Sequence, residues 1–335
     1  MNTIIQPRRA KLPFALGWIP VVALLLLLPV GAEFGLFSNF YINLFTKIFI
    51  FSIFLLGYDL LAGYTGMVSF GHAMFFGLGA YTTGLILKHS EALFGLPTEL
   101  TIWVGMLLSI IVCVVVGVIV GFLSIRTHGV YFIFITLAFA QFFHSVAFHW
   151  ADVTGGENGL PGITASTFLG IDHHTNYYYF VLVMLLLCYM LIRRVVNSPF
   201  GRTLVGIKEN EQRMQFLGYN VRRYKWASFV LSGAVSGLAG ALLAQEQLYV
   251  STDLFHWLMS AEVIIMTWLG GVGTLIGPML GGGIVIFFED FFSSWMSDNW
   301  LMVMGFVYVM FVLFSPRGLI GLIEKARHIL AKGKE

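Results

Sequence analysis

The sequence predicts an all-α polytopic membrane protein with about ten transmembrane helices, broken or re-entrant glycine-rich segments, and one polar helix outside the bilayer. Three observations lead there. Of 335 residues, 58% are hydrophobic and 11% charged, against about 25% charged in a soluble domain. The apolar residues gather in runs long enough to cross a hydrocarbon core, roughly 17 to 25 residues each. One stretch, Ser198 to Gly218, keeps helical periodicity while being polar. The net charge of +2 gives no nucleic-acid footprint. Cys113 and Cys188 lie inside apolar runs without partners at metal-ligand spacing, so they read as core residues, and no metal site is expected.

Taken in order, the chain opens with Arg8, Arg9 and Lys11 before the uncharged run Leu12 to Ala32. That run is long enough to span and lacks a convincing small-residue cleavage site, so it reads as a retained first membrane helix. The ten runs are 14–31, 39–61, 64–87, 100–124, 129–150, 177–192, 226–247, 258–275, 277–297 and 299–315. With both termini in the cytoplasm, 17 of the 19 Lys and Arg residues fall inside; Lys88 is outside and Lys47 lies within a span. This bias supports an even number of spans and puts Ser198 to Gly218 in the cytoplasm.

Two stretches, Gly63 to Gly84 and Gly270 to Gly283, are dense in glycine. Small residues four apart, as at Gly117/Gly121, Gly233/Gly237 and Gly273/Gly277/Gly281, let helices approach closely in lipid. The same density, with Pro278, suits discontinuous helices lining a cavity, one in each half of the chain. The longest external loop, Ala151 to Asn176, contains TGGENGLPG, whose glycines and Pro161 prescribe a tight turn. Gly155, Gly156, Glu157 and Asn158 are its candidates for receiving a partner or lining the outer mouth. Ionisable groups inside spans are Lys47, Asp59, His72, His144, Glu262, Glu289 and Asp290. For Lys47, Asp59 and Glu262, snorkelling or pairing between helices is the simpler expectation. Thr65, Ser69, His72, Thr136 and Gln141 are the candidate polar lining of a translocation pathway, although each hydroxyl could equally bond its own backbone.

The polar stretch has clear ends. Ser198 is a good N-cap, Pro199 suits the first helical position, and Gly218 is a natural stop. Phe200, Leu204, Ile207, Met214 and Leu217 recur on one face of a continuous helix. Glu209 and Arg213 stand four apart in the order that favours an ion pair, worth about 0.3–0.5 kcal/mol. Such a helix needs a surface under its apolar face. Either it rests on lipid headgroups, with Lys208 meeting anionic lipid, or it is offered to a soluble partner.

No phosphate-binding loop, nucleophile elbow or H-E-x-x-H pattern occurs in the sequence. Uphill transport by this chain would therefore draw on an ion gradient or on a partner. Ser198 to Ala244 resembles the coupling region of LivM-type permeases, the membrane subunits of bacterial branched-chain amino-acid ABC importers. GYTGMVSFGHAMFFGLGAY at Gly63 to Tyr81, TGGENGLPGI at Thr154 to Ile163 and LFSPRGLIG at Leu313 to Gly321 are similar too. The resemblance implies that residues 1–335 form a single permease domain with residues 198–218 as its coupling helix, seated in a cleft of an ATPase. Gly201, Arg202, Glu209, Asn210 and Gly218 carry over as coupling residues, with Ile207 and Arg213 beside them. The chain departs from that family at Met214, Gln215 and Phe216, where small residues are usual. The partners implied are a second homologous permease, two cytoplasmic ABC ATPases that use ATP-Mg, a soluble substrate-binding protein and the lipid bilayer of the cell inner membrane, with no cofactor bound by this chain. The alternatives are an ion-coupled secondary transporter in which Glu289, Asp290 or His72 carries protons, a channel-like subunit, and the permease of a urea-type ABC importer.

Overall fold

The computed structural model describes residues 28–29, 38–89, 98–163, 173–296, 299–314 and 318–321. Eleven α-helices of six residues or more are described, with one small sheet. Ser38 caps α1 (Asn39–Asp59), which ends in a π turn, Leu60–Thr65. A non-helical stretch through Gly71 leads to α2 (His72–Lys88), followed by α3 (Thr98–Ser124) and α4 (Val130–His149). After a short helical turn at Ala151–Thr154 comes β1 (Leu160–Pro161), then α5 (His173–Asn197). The polar stretch follows as α6 (Pro199–Glu209) and α7 (Glu211–Phe216), then α8 (Val221–Gln247) and β2 (Tyr249–Val250). The described chain closes with α9 (Trp257–Gly270), α10 (Ile276–Trp295) and α11 (Trp300–Phe314).

Packing is organised around α1 and α8. Both are buried along most of their length, although each is long and apolar enough to cross a membrane. α8 packs along α1, α2 and α3, while α1 also meets α5 and α10, and α9 pairs with α10. Glycine sets the closest approach: a β-carbon on Gly79 would fall on the Gly237 carbonyl, and one on Gly240 on the Phe76 carbonyl. Backbones this close gain dispersion contacts that bulkier residues would prevent. Around that centre α3, α4, α5 and α11 turn apolar residues such as Leu107, Phe134, Leu187 and Phe306 outward. In water such a surface would aggregate; in lipid it is the expected exterior.

Nine of the ten expected spans coincide with described helices. The first, 14–31, lies outside the described residues apart from 28–29. Six helices meet the length and hydropathy of a span by themselves, and Trp257–Gly270 and Trp300–Phe311 are shorter apolar helices. The third span begins late: residues 66–71 are not helical, and α2 has 17 residues. Gly66, with φ 77°, ends the π turn and turns the chain out of α1. The eighth and ninth spans are separated by Gly271, Gly273 and Leu275, all at positive φ. Both cysteines are buried, as core residues should be.

The expected single helix over 198–218 is two helices. Asn210 adopts an extended conformation, φ −158° and ψ 99°, and its Oδ1 accepts the Arg213 N–H at 2.9 Å. It therefore closes α6 and caps α7, because its side chain offers the backbone a better partner than helix continuation does.

Replacing Gly79 by Val should lower the thermal midpoint in detergent, since overpacking costs about 1–3 kcal/mol or more. Reaction of Cys113 and Cys188 with a thiol dye on heating reads this directly. Gly305→Ala, where a β-carbon meets nothing within 4 Å, should leave the midpoint unchanged.

Candidate functional site

The polar helix pair is anchored at one end and exposed at the other. The Ser198 Oγ accepts the Gly201 N–H at 3.4 Å, and a β-carbon on Gly201 would strike the Val196 carbonyl at the end of α5. Leu204 and Ile207 are buried, and Phe200 stacks on Tyr224 of α8 with ring centroids 5.6 Å apart. The break at Asn210 ends this stripe. Met214 folds back beside Gly206, whereas Leu217 is 66% exposed rather than on the buried face, and its neighbour Phe216 is 91% exposed. The Glu209–Arg213 pair does not form either. Instead Lys225 of α8 holds Glu211 at 2.6 Å, tying α7 back to the bundle. Arg202, Glu209, Asn210 and Arg213 are exposed, and Gly218 ends the segment at φ 85°. A groove of about 470 Å³ lies between the two helices, lined by Pro199, Arg202, Thr203, Met214, Tyr219 and Tyr224.

The two glycine-rich breaks meet next to this pair. Asp59, fully buried at the end of α1, accepts the Gly273 N–H at 2.6 Å and the Leu275 N–H at 3.1 Å. Leu275 immediately precedes α10, so the carboxylate caps that helix from across the fold, where the helix dipole favours an anion. A β-carbon on Gly63 would strike Asp59 Oδ1 and lie 2.7 Å from Gly273 Cα, so only glycine fits between the breaks. In the π turn the Met67 N–H bonds the Leu61 carbonyl at 3.2 Å, which takes away the partner the Gly63 carbonyl would have in an α-helix. Lys208 of α6 supplies one, its Nζ donating to Gly63 O at 2.6 Å. From the sequence, Lys208 meets anionic lipid in one of the two readings of its helix, and Asp59 is expected to snorkel or to pair between helices. No local signal pairs them, because the partners of both are backbone atoms.

Four of the five expected pathway residues gather around the 66–71 break. The Thr136 Oγ1 accepts the Phe70 N–H at 3.2 Å, the Ser69 Oγ accepts the Gly71 N–H at 3.1 Å, and Thr65 Oγ1 lies 2.7 Å from Ser228 Oγ on α8. His72 is fully buried, with Nε2 2.7 Å from Ser232 Oγ. Because Ser232 donates its one hydroxyl hydrogen to Gly57 O at 2.5 Å, the Nε2 must carry a hydrogen and donate to Ser232. Ser260 Oγ accepts the Ala73 N–H at 2.8 Å. These groups satisfy the polar backbone of the break, so they hold it in place. Gln141 is half-buried on α4 and makes no hydrogen bond to this cluster.

At the opposite end the TGGENGLPG loop is built as expected of a tight turn. Gly155, Gly156, Gly159 and Gly162 are at positive φ, Thr154 Oγ1 donates to Ala147 O at 2.5 Å, and β1 pairs antiparallel with β2. Tyr249 Oη donates to the Asn158 carbonyl at 3.2 Å, leaving the Glu157 and Asn158 side chains exposed. Of the remaining charges in spans, Lys47 pairs with Asp290 at 3.5 Å and Tyr308 Oη donates to Glu289 at 3.5 Å. His144 is half-buried, its ring edge-on to His256 at 5.2 Å.

Paired helix breaks inside an apolar bundle, tied to an exposed polar helix pair, define a multi-pass membrane protein of the transport class. Residues 40–314 match the family described as the permease component of branched-chain amino acid transport systems, and the chain belongs to that family as a transport subunit. It is 26% identical to the high-affinity branched-chain amino acid transport system permease protein LivM of Escherichia coli, over 88% of this chain and 74% of that protein. Similarity extends to LivH of E. coli, 23% identical over 81% of this chain and 91% of that protein. A probable LivM of Methanocaldococcus jannaschii is 23% identical over 65% of this chain and 71% of its own length. No solved structure matches the chain significantly.

Removing the cap in Asn210→Ala should weaken α7 by about 1 kcal/mol. Amide exchange across residues 211–216 should then speed about five-fold while exchange in α8 is unchanged. Mass-spectrometric hydrogen exchange checks both.

Proposed function

We propose that this chain is one of two membrane subunits of an ATP-driven importer of branched-chain or other hydrophobic amino acids, and that α6 and α7 receive the stroke of partner ATPases. The family match and the named relatives support the solute class and the setting. The observation that carries the mechanical part is the ordered helix pair outside the apolar spans. α7 buries none of its residues, yet it is capped, ion-paired to α8, and followed directly by the exposed Leu217. A short helix with no buried face, presenting charge and an aromatic ring, is suited to completion by another protein.

In this reading residues 198–218 and both termini face the cytoplasm of a cell with this chain in its inner membrane. Two ATPase subunits bind Mg-ATP, and this chain binds none. A second homologous permease completes the pathway, and a soluble binding protein delivers the solute to the opposite face, at the turn carrying Gly155, Gly156, Glu157 and Asn158. Gly201 and Ile207 seat α6 on the membrane helices, while Arg202, Glu209, Asn210 and Arg213 meet the ATPase. A rigid helix pair transmits displacement that a disordered loop would absorb.

Purification from native membranes should bring down two ATPase subunits and a second permease, and vesicles holding that assembly should take up leucine only with ATP. Arg202→Ala and Glu209→Ala should each cut that uptake about tenfold at unchanged membrane abundance. Leucine accumulation by the isolated chain, without nucleotide and driven by a proton gradient, would overturn the proposal. Uptake of urea in place of leucine would reassign the solute and leave the drive intact.

A further inference from the structure

We infer that Lys208 and Asp59 are positioning residues that join α6 to both helix breaks, so that one displacement of α6 moves the end of α1 and the start of α10 together. This rests on the reading of α6 as the element the ATPase moves. Lys208 Nζ holds the Gly63 carbonyl at 2.6 Å, four residues beyond Asp59. Asp59 in turn holds the Gly273 and Leu275 N–H groups at 2.6 and 3.1 Å. The ammonium also interacts electrostatically with the Asp59 carboxylate. Each charge thus faces a helix end of opposite partial sign: Lys208 the carbonyl end of α1, Asp59 the N–H end of α10.

Anchoring alone does not account for Lys208. α6 already seats Leu204 and Ile207 in the core, and Lys208 itself is exposed along much of its length. Its ammonium reaches past Gly66, where a β-carbon would lie 2.9 Å from Lys208 Cγ, to a carbonyl that the π turn releases. That carbonyl belongs to the part of α1 where helical bonding is already rearranged, so a pull there meets little resistance from the helix. The close approach of Gly63 to Gly273 then passes the motion to the 271–275 loop. Both glycine-rich discontinuities, far apart in sequence, follow one contact.

The test uses the complete importer in vesicles and reads ATP hydrolysed per leucine transported. A permease that is merely destabilised loses hydrolysis and transport together, so this ratio is insensitive to a purely structural role. Lys208→Met should still co-purify with the ATPases but raise the ratio about tenfold. Lys208→Arg, which keeps a donor for Gly63 O, should return it toward the parent value. Arg222→Ala, removing an exposed cation outside the contact, should not change it. Spin labels on α6 at Val205→Cys and on α10 at Leu280→Cys should hold a constant separation through the nucleotide cycle while α6 moves relative to a label on α3. The native cysteines are buried and stay unlabelled. An unchanged ratio in Lys208→Met, or an α6–α10 separation that varies with nucleotide in the parent chain, would refute the inference. The labels decide the matter even if the Met variant fails to accumulate. ATP-independent uptake by the parent assembly would instead sink the coupling reading itself.

Discussion

A broken helix inside a bilayer leaves N–H and C=O groups that no water can satisfy, and this fold depends on two charged side chains, Asp59 and Lys208, that close two such breaks at one place. The end of α1 offers a carboxylate and a released carbonyl, and the start of α10 offers unpaired N–H groups. Asp59 closes the second need and Lys208 the first. Without these two side chains each break would leave polar groups unsatisfied, at about 1–3 kcal/mol each. Their pairing requires Gly63 and Gly273 to sit almost in contact, which fixes how α1, α9 and α10 are placed.

The rest of the centre follows the same economy of small groups. α8 brings Ser228 and Ser232 against the two ends of the 66–71 break, at Thr65 and His72, and α4 and α9 contribute Thr136 and Ser260. Each hydroxyl has one donor and can accept as well, so it holds a backbone group or a side chain of another segment without bringing a charge into the bundle. Glycines at Gly79 and Gly240 let the backbones come close enough for those short side chains to reach. Hydroxyl bonding and glycine packing are therefore one device: the first requires the second.

How much of this could be read beforehand depended on whether the signal was local. Apolar runs gave nine described helices, because length and hydropathy are properties of each segment alone. The caps at Ser198 and Gly218 were legible for the same reason. The break at Asn210 was legible in principle: asparagine followed by Glu211 is a helix-start pattern, and it was outweighed by an apolar stripe running through Met214 and Leu217. Glu209 and Arg213 then lost their pairing because spacing of four means adjacency only within one unbroken helix. Asp59 and Lys208 were not legible as a site. Their partners are backbone atoms of Gly63, Gly273 and Leu275, up to 216 residues away along the chain, and no side-chain motif announces them. The outer turn lies between these cases: its glycines announced tightness, but its pairing with Tyr249–Val250 needed the fold.

Charge inside the spans sorts into two levels with different chemistry. Lys47 and Asp290 pair side chain to side chain, and twelve residues further along α1, about 18 Å by helical rise, Asp59 binds backbone only. A pair of flexible side chains can follow small relative movements of α1 and α10 by changing rotamers. A carboxylate held by two backbone N–H groups has less freedom to do so, since both belong to the turn that leads into α10. The Lys47 level therefore tolerates sliding between these helices, and the Asp59 level makes them move as one piece. Such an arrangement places the stiff connection next to α6 and leaves the compliant one at the far end, which is the order required for a displacement entering at α6 to tilt the helices rather than dissipate in their ends.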